Sequence, residues 1–337
     1  MLGILAPRVQ AAWLRKGFIA RLLWPMSQLY RALVSFRKAL YRSGVLKVER
    51  VDVPVIVIGN VVAGGSGKTP VVIALVQHLQ SIGLKPGVVS RGYGRDTLDC
   101  REVVAEADPN DTGDEPMLIH MKTGAPVVVG KKRVDAARKL LHSHPDVDVI
   151  VSDDGLQHFA LHRDVEVCVF DDRGVGNGYL LPAGPLREPW PRPVDVVLHS
   201  GERPAFRHGF VVSRQLALRA VGPDQRECWL ADINGKSPRP LLALAGIANP
   251  AIFFSMLTAG GVFPDELLAL PDHHNFGMHL EKIDQAKTVI CTEKDAVKLW
   301  RIRPDAWAVA LEVALDPQFL TDLERRLALA IGQSAPP

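Results

Sequence analysis

Residues 53–79 read VPVIVIGNVVAGGSGKTPVVIALVQHL: an apolar run, a glycine-rich stretch and a second apolar run with helical spacing. This order predicts a strand, a glycine loop and a helix, the local arrangement that cradles phosphate groups. Glycines let backbone N–H groups point at phosphate oxygens, Lys68 brings a cation to the outer phosphates, and the Thr69 hydroxyl can coordinate magnesium. The stretch therefore predicts a nucleotide-binding loop made of Gly64, Gly65, Ser66, Gly67, Lys68 and Thr69.

The loop departs from the usual pattern G-x-x-x-x-G-K-[ST], because Val62 stands at the first position and the nearest earlier glycine is Gly59. The alternative is a glycine-rich turn with an incidental Lys-Thr pair. The flanking strand and helix favour the phosphate-binding loop, because they are the elements that this chemistry requires.

The composition is that of an ordinary globular protein. The 337 residues are 47% hydrophobic and 23% charged, which excludes a wholly disordered chain and predicts roughly two domains. The four cysteines are far apart and form no C-x-x-C pair, which argues against a disulfide framework, an iron–sulfur site or a structural zinc.

The first fifty residues carry ten basic side chains and one acidic residue, Glu49. From Leu22 onward, apolar side chains recur at helical spacing at Met26, Leu29, Leu33, Phe36 and Leu40, and basic ones fall toward the opposite side at Arg31, Lys38 and Arg42. The pattern predicts a basic amphipathic helix on an anionic membrane surface, with Pro25 kinking or restarting it. The alternative is a helix that covers the following domain or a partner chain.

Other roles for this segment are disfavoured by its composition. Basic residues interrupt every apolar stretch before it reaches the length of a membrane span, and no small-residue cleavage site follows, as a signal peptide requires. The segment is too apolar for a solvated arm on nucleic acid, so no nucleic-acid partner is expected.

Beyond Val51, short apolar runs alternate with helical patterns, which predicts an α/β fold with a mostly parallel sheet. The predicted strands are 53–58, 86–90, 126–129, 147–152, 165–170, 194–199, 241–245, 287–291 and 307–313. The predicted later helices are 250–260, 294–301 and 317–331. We expect an N-terminal helix in 1–45, a nucleotide-binding domain in 46–180 and a smaller α/β domain in 181–337 that completes the cleft.

Carboxylates follow a predicted strand at Asp153 and Asp154, where the carboxyl ends of parallel strands gather ligands. They are expected to bind magnesium directly or through water, with a turn cap as the alternative for either. Asp114 and Glu115 stand at a predicted helix start, where capping is the common explanation. His273 lies in a turn, and its sequence context does not distinguish a functional from a solvated histidine.

The motifs occur together in an order that resembles one family. They are Gly59-Asn60, the loop Gly64–Pro70, Ser90–Arg95, Gly113–Pro116, Asp153–His158, Leu181–Glu188, Ala245–Pro250, Asp272-His273 and Thr292–Ala296. The sequence closely resembles the tetraacyldisaccharide 4'-kinases, the lipid A 4'-kinases of Gram-negative bacteria, over nearly its whole length. The variant phosphate loop is also the family's own.

The resemblance implies a P-loop NTPase-like fold and a reaction. ATP with Mg²⁺ would give its γ-phosphoryl group to the 4'-hydroxyl of a tetraacylated glucosamine disaccharide 1-phosphate, at the cytoplasmic face of the inner membrane. Because an acceptor with four acyl chains stays in the bilayer, the resemblance also favours a peripheral or monotopic membrane role for the N-terminal helix. No obligate protein partner is expected.

The resemblance also implies residue roles. Asp114 would accept the hydroxyl proton and His273 would orient it, while Arg187 would neutralise charge that develops on the transferring phosphate. Glu115, Asp153, Asp154, Gln157 and Glu188 would organise magnesium and the nucleotide. The role of Thr292–Asp295 stays open.

A rival from another class is a membrane-recruited P-loop ATPase switch without a lipid acceptor. Partitioning ATPases of this kind carry a lysine near the start of the loop, where this chain has Val62 and Ala63. A GTPase would need an Asn/Thr-Lys-x-Asp guanine-binding motif, and Lys294 stands at the wrong position for one. A structural adaptor is disfavoured because Lys68, Thr69 and the aspartates are all present.

Overall fold

The computed structural model describes residues 13–95, 97–104, 107–201, 204–272, 274 and 276–334. The helices of these residues are α1 (Phe18–Arg42), α2 (Lys68–Ser81), α3 (Pro109–Thr112), α4 (Asp114–Thr123), α5 (Arg133–Ser143), α6 (Ile233–Lys236), α7 (Pro250–Ala259), α8 (Leu280–Gln285), α9 (Glu293–Leu299) and α10 (Pro317–Ser334).

The strands divide between two sheets. They are β1 (Val55–Gly59), β2 (Pro86–Ser90), β3 (Arg101–Glu102), β4 (Val127–Val129), β5 (Val149–Asp153), β6 (Val165–Phe170), β7 (Val196–His199), β8 (Phe210–Val211), β9 (Ser213–Val221), β10 (Glu227–Trp229), β11 (Leu241–Ala245), β12 (Glu266–Ala269), β13 (Thr288–Thr292) and β14 (Trp307–Ala314).

The first sheet has eight strands in the order β3-β4-β2-β5-β1-β6-β7-β8. All its pairs are parallel except β3 with β4. The second sheet has six strands in the order β10-β9-β14-β13-β11-β12, and its pairs are parallel except β9 with β10 and β9 with β14. The predicted α/β class with mostly parallel sheets is confirmed.

β1 lies in the centre of the first sheet, between β5 and β6. Successive side chains of a strand point to opposite faces, so Ile56 and Ile58 pack with α2 while Val55 and Val57 pack with α5. All five residues of β1 are buried, as expected for a parallel strand covered on both faces. This double packing fixes the strand that leads into the glycine loop.

Every strand predicted from the sequence is present within about two residues of its predicted bounds. The predictions missed β9, which begins with three polar residues and is only partly buried, and the short strands β3, β8, β10 and β12. Pro25 does not restart the N-terminal helix, because Phe18–Arg42 is one continuous helix around it.

The division between the sheets differs from the predicted division at residues 180 and 181. Strands β7 and β8 lie beyond residue 181, yet β7 pairs with β6 and β8 pairs with β7 in the first sheet. The second sheet begins with β9 at Ser213. The Gly- and Pro-rich stretch before β7 is therefore a loop within the first unit, and the change of sheet falls near residue 212.

Helix α1 packs on the first unit with one face and leaves the other uncovered. Ala20 and Ser27 are buried, while Leu22, Met26, Leu29, Leu33 and Phe36 are each at least 60% exposed. Residues 1–12 of the predicted N-terminal segment lie outside the described residues. Within the described part of the chain, no helix has both the length and the apolar character that crossing a bilayer requires.

Candidate active site

The glycine loop connects β1 to α2 at the carboxyl edge of the first sheet. Gly67 occupies the cap position before α2 with φ +71°, a left-handed conformation that favours glycine, and Lys68 is the first helical residue. A β-carbon on Gly65 would lie 2.8 Å from the Ala248 side chain, so the second unit approaches the loop closely there. The helix N-terminus and Lys68 thus present positive charge beside the loop.

Side chains that follow β1, β6 and β7 hold the loop in place. The Asn60 amide donates to Ser66 Oγ at 2.8 Å, and the Ser200 hydroxyl donates to the Ser66 carbonyl at 2.8 Å. Arg173 Nη2 donates to the Gly65 carbonyl at 2.6 Å. Sequence reasoning missed Arg173 and Ser200, although both follow strands at the same sheet edge, which is the signal that identified Asp153.

Asp154 links the loop to Arg187. Its carboxylate lies 3.6 Å from Lys68 Nζ and accepts hydrogen bonds from Arg187 Nη1 at 3.0 and 3.1 Å. Burial alone would raise the pKa of Asp154, but the Lys68 and Arg187 charges outweigh it and hold the pKa below its usual range. Asp154 also adopts φ +47°, which is uncommon for a residue other than glycine and is found at functional sites.

Asp153 is the last residue of β5 and is buried. Its Oδ2 accepts a hydrogen bond from Ser90 Oγ at 3.1 Å, whereas its Oδ1 finds no hydrogen-bond partner among the described residues. Burial raises the pKa of Asp153 to about 6, and the negative charges of Glu115 and Asp154 add to the increase. An unpartnered buried carboxylate oxygen of this kind is suited to a cation.

Asp114 and Glu115 begin α4, and each pairs with a lysine of α9 from the second unit. Asp114 Oδ2 lies 3.4 Å from Lys298 Nζ, and Glu115 Oε1 lies 3.0 Å from Lys294 Nζ. Gly113, not Asp114, holds the cap position of α4. Sequence reasoning missed both lysines, because no pattern within one segment shows which helices pack together.

Lys294 also pairs with Asp272, at 2.8 Å, so one ammonium joins the Glu115 helix to the chain segment before His273. Burial lowers the pKa of Lys294, but Glu115, Asp114 and Asp272 outweigh burial and raise it above its ordinary value. His273 itself, which the family resemblance pairs with Asp114, lies outside the described residues.

The Thr292–Asp295 motif forms the start of α9. Thr292 Oγ1 accepts a hydrogen bond from Asp295 N at 3.2 Å and donates one to Asp295 Oδ2 at 2.6 Å. The same Asp295 oxygen accepts from Gly246 N at 3.0 Å, which ties the loop after β11 to α9. The motif thus fixes the helix that presents Lys294 and Lys298.

Gln157 and Glu188 meet behind the loop. Gln157 Nε2 donates to Glu188 Oε1 at 2.7 Å and to the Asn60 carbonyl at 3.0 Å. Glu188 is fully buried. These two residues therefore contact the base of the loop and stand one layer behind the Lys68 and Asp154 pair.

A cavity of about 550 Å³ lies between the two units. The loop residues Gly65–Thr69 and Glu115 line one side of it, and the loop 247–249 with apolar residues of α7 lines the other. A pocket of this volume accommodates a small organic ligand. The glycine loop, Glu115 and the second unit thus line one cavity.

The metal ligands predicted from the sequence are not gathered into a ready-made cluster. No three His, Cys, Asp or Glu side chains among the described residues form a group that could hold a metal ion. This agrees with the coordination habit of magnesium, which is commonly bound through one or two carboxylates together with phosphate oxygens.

Comparison with known proteins shows which family the chain belongs to. The family described as tetraacyldisaccharide-1-P 4'-kinase (LpxK) matches residues 19–328. The tetraacyldisaccharide 4'-kinase of Acidovorax sp. (strain JS42) is 53% identical over 325 residues, which cover 96% of this chain and 95% of the relative. This chain belongs to the tetraacyldisaccharide 4'-kinase family. The enzyme of the same name from Polaromonas sp. (strain JS666 / ATCC BAA-500) is also 53% identical, with 95% of this chain and 96% of the relative covered.

A solved structure shows the same fold. The crystal structure of LpxK from Aquifex aeolicus in complex with ATP superposes with a TM-score of 0.79 at 27% identity, over 93% of this chain and 99% of that chain. The expected kinase family and P-loop NTPase-like α/β fold are therefore confirmed, and the comparisons favour the kinase over the ATPase switch.

Asp295 makes the stability of this family member depend on pH. Burial raises the pKa of Asp295 to about 6 from an ordinary value near 3.8. Because the folded state binds the Asp295 proton more tightly than the unfolded state does, the protonated side chain stabilises the fold. This contribution to the free energy of unfolding is complete below about pH 4 and is lost as the pH rises through 6. Asp295→Asn removes this dependence, so urea unfolding should show its free energy of unfolding gaining about 2 kcal/mol on the wild type between pH 4 and pH 7.

The exposed carboxylate Asp146, replaced in Asp146→Asn, serves as the control for loss of one acidic group. A difference between Asp295→Asn and wild type that stays constant from pH 4 to pH 7 would contradict this account of Asp295.

Proposed function

We propose that the chain transfers the γ-phosphoryl group of ATP to the 4'-hydroxyl of tetraacyldisaccharide 1-phosphate at the cytoplasmic face of the bacterial inner membrane. The observation that carries the proposal is that Lys68 and Arg187 both pair with the Asp154 carboxylate beside the glycine loop. In phosphoryl transfer, positioning and charge stabilisation supply most of the acceleration, and this cluster offers both. Lys68 would meet the outer phosphates, and Arg187 would neutralise charge as the γ-phosphoryl group moves.

Four oxygen-bearing side chains are candidates to organise Mg²⁺, of which one or two carboxylates would bind it directly and the others through water. They are Thr69 at the start of α2, Glu115 at the start of α4, and Asp153 and Asp154 at the end of β5. The unpartnered Asp153 Oδ1 supports this assignment, because magnesium prefers oxygen ligands. When bound, magnesium neutralises phosphate charge. Meanwhile Gly64–Gly67 would contact the phosphates through their N–H groups, and Gln157 and Glu188 would hold the loop from behind.

Asp114 is the proposed general base. It lies at the start of α4 with its neighbour Glu115 lining the cavity, and Lys298 keeps a positive charge 3.4 Å from its carboxylate. Asp114 would accept the proton of the 4'-hydroxyl as the oxygen attacks phosphorus. We propose that His273 orients Asp114, in keeping with the resemblance on which that role rests.

The membrane side of the proposal rests on α1. Its apolar side chains are exposed rather than packed: Phe18, Leu22, Leu29, Leu33 and Phe36 are each at least 60% exposed. A row of exposed leucine and phenylalanine side chains on a basic helix is suited to the interface of an anionic bilayer. Such docking would bring the enzyme to an acceptor whose acyl chains remain in the membrane.

Replacing Lys68 tests the phosphate-binding role. We expect Lys68→Ala to lower phosphate transfer from ATP to detergent-dispersed tetraacyldisaccharide 1-phosphate by at least about 100-fold, because the transferring group loses its nearest cation. Labelled phosphate in the extracted lipid is the readout. Lys85→Ala, which removes an exposed lysine at a distant turn, is the matched control and should retain full activity. Transfer by Lys68→Ala at the control's rate would refute the role.

Replacing Asp114 tests the general base. Asp114→Asn keeps the size of the side chain but cannot accept the proton, so kcat should fall by about 10² to 10⁴ while nucleotide affinity changes little. Steady-state kinetics and equilibrium titration with ATP separate the two effects. Asp111→Asn, an exposed neighbour that pairs with Arg101, is the control. A kcat for Asp114→Asn close to that of Asp111→Asn would remove Asp114 from the base role.

Polar substitution on the exposed face of α1 tests the membrane surface. Leu29→Gln with Leu33→Gln should lower the fraction that sediments with vesicles of phosphatidylethanolamine and phosphatidylglycerol by about tenfold or more, because two apolar side chains no longer enter the interface. Leu329→Gln, on an exposed position of α10, is the matched control. Equal sedimentation of all three proteins would place the membrane contact elsewhere.

A further inference from the structure

A loop segment joins α1 to the glycine loop. This bridging segment, residues 180–188, lies directly against the loop: Arg187 N donates to the Val61 carbonyl at 2.7 Å, and Ala63 N donates to the Pro185 carbonyl at 2.8 Å. The two backbone hydrogen bonds make the segment behave as a short extra strand beside the loop. The bridging segment and the glycine loop are therefore joined through their backbones.

The other side of the bridging segment is held by hydroxyl groups of α1. Buried Ser27 donates from Oγ to the Leu180 carbonyl at 2.7 Å and accepts from Ala183 N at 3.1 Å. The Tyr30 hydroxyl donates to the Arg187 carbonyl at 2.9 Å. The backbone of Arg187 is thus held between Tyr30 on one side and Val61 on the other.

A buried ion pair completes the connection. Lys38 Nζ contacts Glu188 Oε2, and Glu188 Oε1 also accepts from Gln157, which donates to the Asn60 carbonyl at the base of the loop. Lys38 therefore does not face outward with Arg31 and Arg42, as the helical spacing predicts, but toward the first unit. Arg192 Nη1 also lies 3.4 Å from Glu188 Oε1, so loss of Lys38 would leave the fully buried carboxylate with one cation fewer, which costs more than the loss of a surface pair.

These contacts give α1 two faces with different chemistry. Ser27, Tyr30 and Lys38 lie on its inner face and bond the bridging segment, whereas Leu29, Leu33 and Phe36 lie exposed on its outer face. A helix used only as a membrane anchor would not need polar groups directed at the backbone of a site residue.

We propose that α1 is a positioning element of the phosphoryl-transfer site, in which Tyr30 and Lys38 hold Arg187 and Glu188 in register with the glycine loop. The position of α1 then sets the distance between the Arg187 guanidinium and Asp154. This inference rests on the proposed function, because it assigns Tyr30 and Lys38 an effect on transfer through Arg187 and Glu188.

Tyr30→Phe is the first test. It removes one hydroxyl and keeps the ring, so kcat with detergent-dispersed lipid should fall about three- to tenfold, the effect of one intramolecular hydrogen bond, while KM for the lipid and sedimentation with vesicles stay unchanged. Tyr41→Phe, a half-buried tyrosine on the same helix that contacts Phe159 through its ring, is the matched control. A fall in lipid affinity with kcat preserved would mean that Tyr30 serves membrane docking only and would overturn the proposal.

A double-mutant cycle identifies the route of the effect. If Tyr30 acts through Arg187, Tyr30→Phe should lower kcat by less than about 1.5-fold in an Arg187→Ala background. The same three- to tenfold loss in both backgrounds would overturn the proposal, because Tyr30 would then act on the fold in general.

Substitutions of Lys38 provide an independent test, which includes a rescue variant. Lys38→Met should lower kcat more than Tyr30→Phe does, because Glu188 is left buried with one cation fewer, and Lys38→Arg should restore at least half of the wild-type kcat. Equal kcat for Lys38→Met and wild type would overturn the role of Lys38. Wild-type protein that hydrolyses ATP without phosphorylating lipid would contradict the proposed function instead and would remove this inference with it.

Discussion

The constraint on which the rest of the structure depends is the accumulation of negative charge at one sheet edge. Asp153 and Asp154 end β5, Asp114 and Glu115 begin α4, and Glu188 lies behind the loop. Burial raises the pKa of Asp153, and the neighbouring charges of Glu115 and Asp154 raise it further. Each pairing cation comes from a different part of the chain: Lys68 from α2, Arg187 from the bridging segment, Lys38 from α1, and Lys294 and Lys298 from α9.

This charge balance explains why the two units are connected where they are. Helices α4 and α9 meet through the ion pairs of Glu115 with Lys294 and of Asp114 with Lys298, and Ala248 lies against Gly65 of the loop. The second unit is therefore placed by the same carboxylates that would organise the nucleotide. Binding of a polyphosphate would add negative charge beside Lys68, so nucleotide binding and the packing of the units should depend on one another.

Much of this arrangement could be predicted from sequence, and the reason lies in local rules. The strand, loop and helix of residues 53–79 follow from hydrophobic periodicity and glycine placement, and the carboxyl ends of parallel strands bring Asp153 and Asp154 to the loop. The predictions failed where long-range packing determines which side chains pair and which strands share a sheet. Lys294 and Lys298 acquire partners only when α9 meets α4, Lys38 turns inward because Glu188 is buried, and β7 and β8 join the first sheet despite following a Gly- and Pro-rich stretch.

The central claim is that ATP cleavage in this chain is transfer to the lipid. The most direct measurement is a single-turnover reaction with enzyme in excess over tetraacyldisaccharide 1-phosphate, in which ADP and lipid 4'-phosphate are quantified from the same quenched samples. The account predicts one ADP for each lipid 4'-phosphate at every time point. ADP that appears without matching lipid phosphate would contradict it and would favour the ATPase switch.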